Sequence, residues 1–305
     1  MAKETHTPAE SDGVDTNEDG AATLRGIGLV LLAMLLFACM DGVNKHLLTS
    51  YSIIQIMWVR YLLFFAVGLL VARRQGVRAT LVSGQRGLQI GRSLLLIAEQ
   101  AAFIIAFIYL PLAEVHAIAA ISPLLVTALS ARLLKERVGL GRLVVVGAGF
   151  AGVLVVTRPG LGVMNAAAVI PLIAAVLFAV YQMMTRKVSR TDSAETTLLY
   201  SGMVGAVVLS LLGPFYWQSP TQADWGLLLL VAVLGSTAHI SLIKALQLAA
   251  AAAVQPFNYS LFFWAVVVGY IGFGDFPDTW TLVGATIIIA SNLYVLHRTR
   301  ESSRI

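Results

Sequence analysis

Residues 24–45 read LRGIGLVLLAMLLFACMDGVNK. Between Arg25 and Asp41 no side chain is charged, and a helix of roughly twenty residues crosses about 30 Å of hydrocarbon. The stretch spells a membrane-spanning helix. Its centre, Met34-Leu35-Leu36-Phe37-Ala38, returns as Ala175-Val176-Leu177-Phe178-Ala179, an offset of 141. A spanning helix that recurs at such a distance predicts a bundle built twice.

Other matches follow in order. Leu112-Ala113 with Ala117-Ile118 corresponds to Leu248-Ala249 with Ala253-Val254, offset 136. Lys135-Glu136 corresponds to Gly274-Asp275. The run Leu143-Val144-Val145-Val146-Gly147-Ala148 resembles Thr281-Leu282-Val283-Gly284-Ala285 at offset 137. Chance is the competing explanation, because apolar helices share a small alphabet, but four ordered matches at nearly constant offset weigh against it.

The composition agrees. Of 305 residues, 58% are hydrophobic and 12% charged, against about one quarter charged in soluble domains. Mean hydropathy is +0.82. Such a chain could not clothe itself in polar surface, so its solvent is lipid. A net charge of +5 would suit nucleic acid, but the basic residues stand in short loops between apolar runs, where membrane topology accounts for them. The single cysteine, Cys39, provides no disulfide framework.

Ten spans are predicted: 24–45, 52–72, 86–110, 112–134, 139–157, 163–186, 196–216, 225–246, 249–273 and 278–297. The eighth and ninth nearly merge through Leu248-Ala249-Ala250. Arg73, Arg74, Arg78 and Arg86 follow span two; Arg132, Lys135, Arg137 and Arg142 follow span four; Arg186, Lys187 and Arg190 follow span six. Arg298, Arg300 and Arg304 close the chain, whereas the opposite loops hold only Lys45 and Arg158. Lys and Arg mark the cytoplasmic side, so both termini are expected there, which an even span count satisfies. Residues 1–23 carry six acids and lack the apolar centre of a signal peptide; they read as a disordered cytoplasmic tail. Two repeats, 24–158 and 159–297, and a second tail, 298–305, complete the expected organisation. Five spans per repeat is odd, so the halves enter the membrane from opposite sides. Inverted repeats of this kind place a binding site near the midplane and alternate access by rocking.

The five-plus-five repeat resembles the drug/metabolite transporter superfamily, specifically its EamA-type members. So do Trp58-Val59-Arg60-Tyr61, Leu110-Pro111-Leu112-Ala113-Glu114, Leu133-Leu134-Lys135-Glu136, and the Gly147–Gly152 helix ending Thr157-Arg158-Pro159-Gly160. The chain departs from the pattern at Asp275, where the family usually has Glu. The resemblance implies a ten-helix secondary transporter of the bacterial inner membrane with a central cavity. Its substrate would be a planar polar metabolite such as riboflavin or S-adenosylmethionine, an amino acid, or a drug. It implies no cofactor, and as partners a small-molecule substrate and the lipid bilayer, in a monomer or homodimer. An intramembrane enzyme and a channel are the rivals of other classes. The first would need a converging constellation, for which Glu99 with His239 is a thin candidate. The second would need rings of like residues.

Ionisable groups inside spans cost about 2.5–3.5 kcal/mol on insertion scales, so each needs a partner or a wet cavity. Glu99, with Gln100 beside it, is the most central; it lines the cavity and binds a cation or proton, or else forms a structural ion pair with Arg92 or Arg60. Asp41 and Lys45 are four apart and can pair along span one as a snorkelling pair or a gate, with Asn44 beside them. Arg60 is expected to anchor neighbouring helices. His239 could relay protons or satisfy a hydrogen bond, the latter being the expectation for His116; Lys244 snorkels. Gln182, Asn258 and Trp264 could line a stacking surface in spans six and nine. Glycines at 147, 149 and 152, and at 269, 272 and 274, suit close helix packing or dimerisation. No metal cluster is evident, and without a phosphate-binding loop an ATP-driven pump is set aside.

Overall fold

The structure is a computed structural model that describes residues 15–74, 76–122, 124–126, 140–158, 166–188, 191–248 and 255–302. Within them every regular element is helical. Ten principal helices follow the expected spans: α1 (Asp15–Leu47), α2 (Ile53–Arg73), α3 (Arg86–Tyr109), α4 (Leu112–Ala119), α5 (Leu140–Thr157), α6 (Val169–Val188), α7 (Ala194–Leu212), α8 (Gln222–Leu248), α9 (Ser260–Phe273) and α10 (Thr279–Ser302). Six contain spans long and apolar enough to cross a membrane, and shorter apolar helices cover 112–126, 147–157, 257–273 and 279–291. Two boundaries need revision or comment. Helix α1 starts at Asp15, so the expected tail to residue 23 is partly helical. The junction between spans eight and nine, 249–254, lies outside the described residues.

The duplication is visible in the helix ends. Ser52 caps α2, its hydroxyl accepting from the Gln55 N–H at 3.2 Å. Ser193 caps α7 in the same way, accepting from the Thr196 N–H at 3.2 Å. These caps stand 141 positions apart, the offset of the first repeat match. Both serines adopt extended backbone and satisfy an otherwise orphaned helical N–H.

The halves interleave. The most extensive packing is α1 on α8, α3 on α6, α2 on α7 and α5 on α10. Exchanging the two halves maps α1–α8 onto α6–α3 and leaves the other two pairings unchanged, as a duplicated bundle requires. Burial of apolar surface does not drive this association, because lipid tails are as apolar as leucine. Close backbone approach and polar links matter instead. A Cβ on Gly152 would lie 2.9 Å from the Gly284 carbonyl oxygen, and one on Gly284 would lie 2.6 Å from that of Gly152. A Cβ on Gly205 would sit 1.9 Å from the Tyr61 ring, so that glycine lets α7 receive an aromatic from α2. Leu70, Ile108, Phe215 and Ile271 remain on the outside, more than half exposed, as side chains facing hydrocarbon should.

Candidate functional site

Polar groups occupy the middle of the bundle in a discontinuous string. At its centre Arg60, Tyr61 and Phe64 of α2, Gln100 of α3, and Gly235, Ser236 and His239 of α8 enclose a cavity of about 10 Å³. That is room for about one water. Both halves contribute, since α2 and α3 belong to the first and α8 to the second.

The Trp58-Val59-Arg60-Tyr61 segment sorts its side chains by helical geometry. Trp58 donates from Nε1 to Ser210 Oγ at 2.9 Å on α7. Arg60 turns towards α1, α3 and the cavity. It donates from Nη1 to Met40 Sδ at 3.7 Å and from Nη2 to Gln100 Oε1. The same Gln100 oxygen accepts from the Tyr61 hydroxyl at 2.8 Å. Two of the guanidinium's five donors are thus occupied, one by a weak sulfur acceptor.

His239 Nδ1 lies 2.9 Å from the Gly235 carbonyl oxygen. A carbonyl only accepts, so Nδ1 carries the proton, and in the neutral ring Nε2 is an acceptor. Phe37 meets this imidazole edge-on at 4.9 Å, and Phe64 lies 5.6 Å away. Glycine at 235 permits the approach of α8, since a Cβ there would come within 2.9 Å of Met40 Sδ.

Glu99 is 6% exposed and precedes the cavity-lining Gln100. Arg60 and Asp41 are the charges that act on it. Neither Arg60 nor Arg92 has a carboxylate within ion-pair distance among the described residues; the ion pairs found there are Lys45–Asp275, His116–Asp41 and Arg158–Asp278. The alternative of a structural Glu99 ion pair with Arg92 or Arg60 is thus not found among the described residues. Side chains on a helix lean towards its N-terminus, so Arg92 heads away from Glu99. It donates to Gln89 Oε1 at 3.0 Å, Tyr181 Oη at 3.2 Å, Thr185 Oγ1 at 3.3 Å, the Thr197 carbonyl oxygen at 2.8 Å, and Ser201 Oγ.

The expected Asp41–Lys45 pair is also corrected. Lys45 Nζ donates to Asp275 Oδ2 at 2.7 Å and lies 4.9 Å from the Phe273 ring centroid. Gly274, at φ 73° in the left-handed region, ends α9 and delivers that aspartate. Asp41 Oδ2 instead lies 3.1 Å from His116 Nε2.

The stacking residues stand apart from the cavity. Gln182 is half-buried on α6. Asn258 is half-buried in the turn of 3-10 helix, Gln255–Tyr259, that precedes α9. Trp264 packs beside Val30 and Met34 of α1, and its Nε1 has no partner among the described residues. Lys244 is exposed, consistent with snorkelling. Sequence reading missed Ser236 and Phe64 as lining residues, Asp275 as the partner of Lys45, and the Asp41–His116 contact. The adjacency of Phe64 to the Arg60 turn on one helix face was the available signal for that residue.

Two ties close the ends of the bundle between the halves. At the Lys45 end, Tyr51 donates to Asp224 Oδ2 at 2.7 Å, and Gln55 Nε2 to the Gln218 carbonyl oxygen at 2.7 Å. At the other end, Asp192 accepts from Ser83, from the Gly84 N–H at 3.2 Å and from Gln89 Nε2 at 2.9 Å. Burial raises the Asp192 pKa, but the hydrogen bonds from Ser83, Gln89, Gly84 and Thr191 outweigh it and hold the carboxyl below its usual range.

Comparison with known proteins gives a consistent picture. The model of the EamA-like transporter family matches residues 24–158 and again 165–296. The chain is 27% identical to the S-adenosylmethionine uptake transporter of Rickettsia conorii, over 92% of this chain and 95% of that protein. It is 29% identical to the riboflavin transporter of Vibrio cholerae, over 92% and 96%. It is 26% identical to a pseudopaline exporter of Pseudomonas aeruginosa, over 90% and 97%. A solved crystal structure, 18% identical, shares the fold with a TM-score of 0.61 over 92% of this chain and 98% of its own.

Proposed function

The chain belongs to the EamA-like transporter family, and from that premise we propose that it carries a planar polar metabolite across a bacterial inner membrane by alternating access. It is a multi-pass membrane transporter and not an enzyme. The observation that carries the substrate reading is the cavity where α2, α3 and α8 meet. There Arg60 has donors to spare for a carboxylate or ring carbonyl, Gln100 and Ser236 add hydrogen-bonding groups, and Tyr61 and Phe64 add ring surface. Glu99, next to this lining, suits a cationic group or a proton. S-Adenosylmethionine combines a carboxylate, a cationic centre and a heteroaromatic ring; riboflavin offers ring carbonyls on a planar tricycle.

A space for one water admits neither, so the structure corresponds to a closed state. Loading requires the halves to part, and the ties at Tyr51–Asp224 and at Asp192 are the contacts that would break on opposite sides. The Lys and Arg residues of the loops at the Asp192 end support a cytoplasmic side for that end and for both termini.

The test is counterflow. Purified protein in liposomes preloaded with unlabelled S-adenosylmethionine or riboflavin should concentrate the matching labelled compound transiently. Protein-free vesicles should not. Flat traces for both compounds would reject this substrate class.

A further inference from the structure

Asp41 and His116 form an ionisable contact that nothing in the cavity requires. They lie on α1 and α4, both within the first half, with Oδ2 and Nε2 3.1 Å apart. Asp41 is 9% exposed and His116 6%. The imidazole stacks on Phe103 at 6.0 Å and lies 5.9 Å from Phe107. Aromatic rings therefore flank the imidazole, and the partner of the buried carboxylate is a histidine, the side chain whose charge changes most readily near neutral pH.

Other charged groups around the pair are already engaged. On its own helix, Lys45 is held by Asp275 beyond α9. From α3, Glu99 faces Asp41 and is opposed by Arg60 of α2. On α4, Glu114 is coupled to Arg158 and Asp278. On α8, His239 is bonded to its own helix.

A second observation concerns water. Asn44, one helical turn from Asp41 towards the Lys45 end, is 0% exposed, and neither its oxygen nor its nitrogen has a hydrogen-bond partner among the described residues. A buried amide with both ends unmet is costly in an apolar interior, and water is the usual remedy. Asn44 thus leaves unmet hydrogen-bonding capacity one helical turn from the pair, on its Lys45 side.

We propose that the Asp41–His116 pair carries a proton, and that substrate movement is coupled to the proton gradient through it. This rests on the transporter reading above and adds the coupling ion. With one shared proton the pair is electrically neutral, whether written as carboxylate and imidazolium or as carboxylic acid and imidazole. Loss of that proton leaves a net negative charge in a dry, apolar site, which is expensive. The pair therefore exchanges its proton only while water reaches it and stays loaded while closed. In each cycle an N–H bond forms at His116 Nε2 as a hydronium ion gives up its proton on one side. The same bond breaks to water on the other side, with no redox change.

The experiment uses the full-length protein in liposomes with membrane potential clamped at zero and labelled riboflavin or S-adenosylmethionine as probe. With one proton per substrate, an imposed gradient of about one pH unit should drive about tenfold accumulation of the probe. His116→Gln keeps a hydrogen bond to Asp41 but cannot titrate; it should lose that accumulation and retain counterflow. Counterflow without pH-driven accumulation in the wild type, or unimpaired accumulation in His116→Gln, overturns the proposal and leaves the transporter reading intact. Absence of counterflow for both probes rejects the substrate class, and a second measurement then decides the coupling site. In protein labelled with carbon-13 at histidine Cε1, the His116 resonance recorded from about pH 5 to 8 should respond to pH, and differently in Asp41→Asn. A His116 resonance that is invariant across that range, or unmoved by Asp41→Asn, overturns the proposal whatever the substrate.

Discussion

Two guanidinium groups lie buried within the bundle, and the contrast between them separates scaffold from site. Arg92 is 0% exposed, and each of its five donors' worth of hydrogen bonding is met by neutral oxygens from α3, α6 and α7. Arg60 is 7% exposed, meets one good acceptor and one sulfur, and borders the central cavity. An unfilled donor in a low-dielectric interior is costly. Arg92 has removed that cost by tying the halves together; Arg60 retains it, beside the central cavity. Equal charge and similar burial thus go with different hydrogen bonding, and under the proposed function the number of donors left over separates anchor from binding residue.

The largest effect should come from Arg92. Hydrogen bonds between membrane helices average about 0.6 kcal/mol each, with larger single values, so losing five together should remove on the order of 3 kcal/mol. Arg92→Met is expected to collapse the folded yield in fluorescence-detected size-exclusion chromatography. Arg92→Lys should recover little, because one ammonium cannot span five acceptors. A monodisperse, thermally normal Arg92→Met protein that failed to transport would make Arg92 a binding residue and erase the contrast.

Arg60 should behave in the opposite way. Arg60→Gln is expected to melt near the wild-type temperature while counterflow falls by at least about tenfold, equivalent to about 1.4 kcal/mol of lost substrate interaction. An aggregated Arg60→Gln protein would return this residue to the anchoring role that its sequence position suggested.

Glu99 sharpens the comparison, because Arg60 has it as an electrostatic neighbour and Arg92 has no carboxylate partner among the described residues. Glu99→Gln should insert and melt normally, yet transport should be strongly weakened, less completely than in Arg60→Gln if the cavity cation dominates. Transport at the wild-type rate would remove Glu99 from the mechanism.

How much of this was legible follows from what one helix can reveal about itself. Apolar runs near twenty residues announce spans, and the 141-residue offset announces the duplication, which the caps at Ser52 and Ser193 repeat. Glu99, Gln100, His239 and Arg60 stand out as polar groups in apolar helices, and all four lie in or beside the cavity. Their partners were not legible. Spacing of four residues along α1 favoured Asp41 with Lys45, but the left-handed turn at Gly274 brings Asp275 across from α9, and α4 brings His116. Spacing of seven along α3 likewise offered Arg92 as one possible partner of Glu99, without regard to the direction in which side chains lean. Contacts between helices belong to the packing, which no single helix encodes.

The smallest expected effect lies at the outer end of the Arg92 network. Gln89 accepts from Arg92 Nε and donates to Asp192 Oδ2, so the anchoring extends from the buried guanidinium to a loop carboxylate between α6 and α7. Because the hydrogen bonds hold the folded Asp192 pKa below its unfolded value, this contribution to stability is present above the unfolded pKa. It is lost as pH falls through the folded one. Asp192→Asn should therefore lower the melting temperature slightly at neutral pH, and the gap from wild type should close on acidification below about pH 4. The group is partly solvated, so the shift should be modest. A gap that persisted unchanged into strong acid would mean that the amide disturbs the loop sterically and that the Arg92 network ends at Gln89. A gap that closes would show one continuous polar anchor from the membrane interior to the loop, with no counterpart at Arg60.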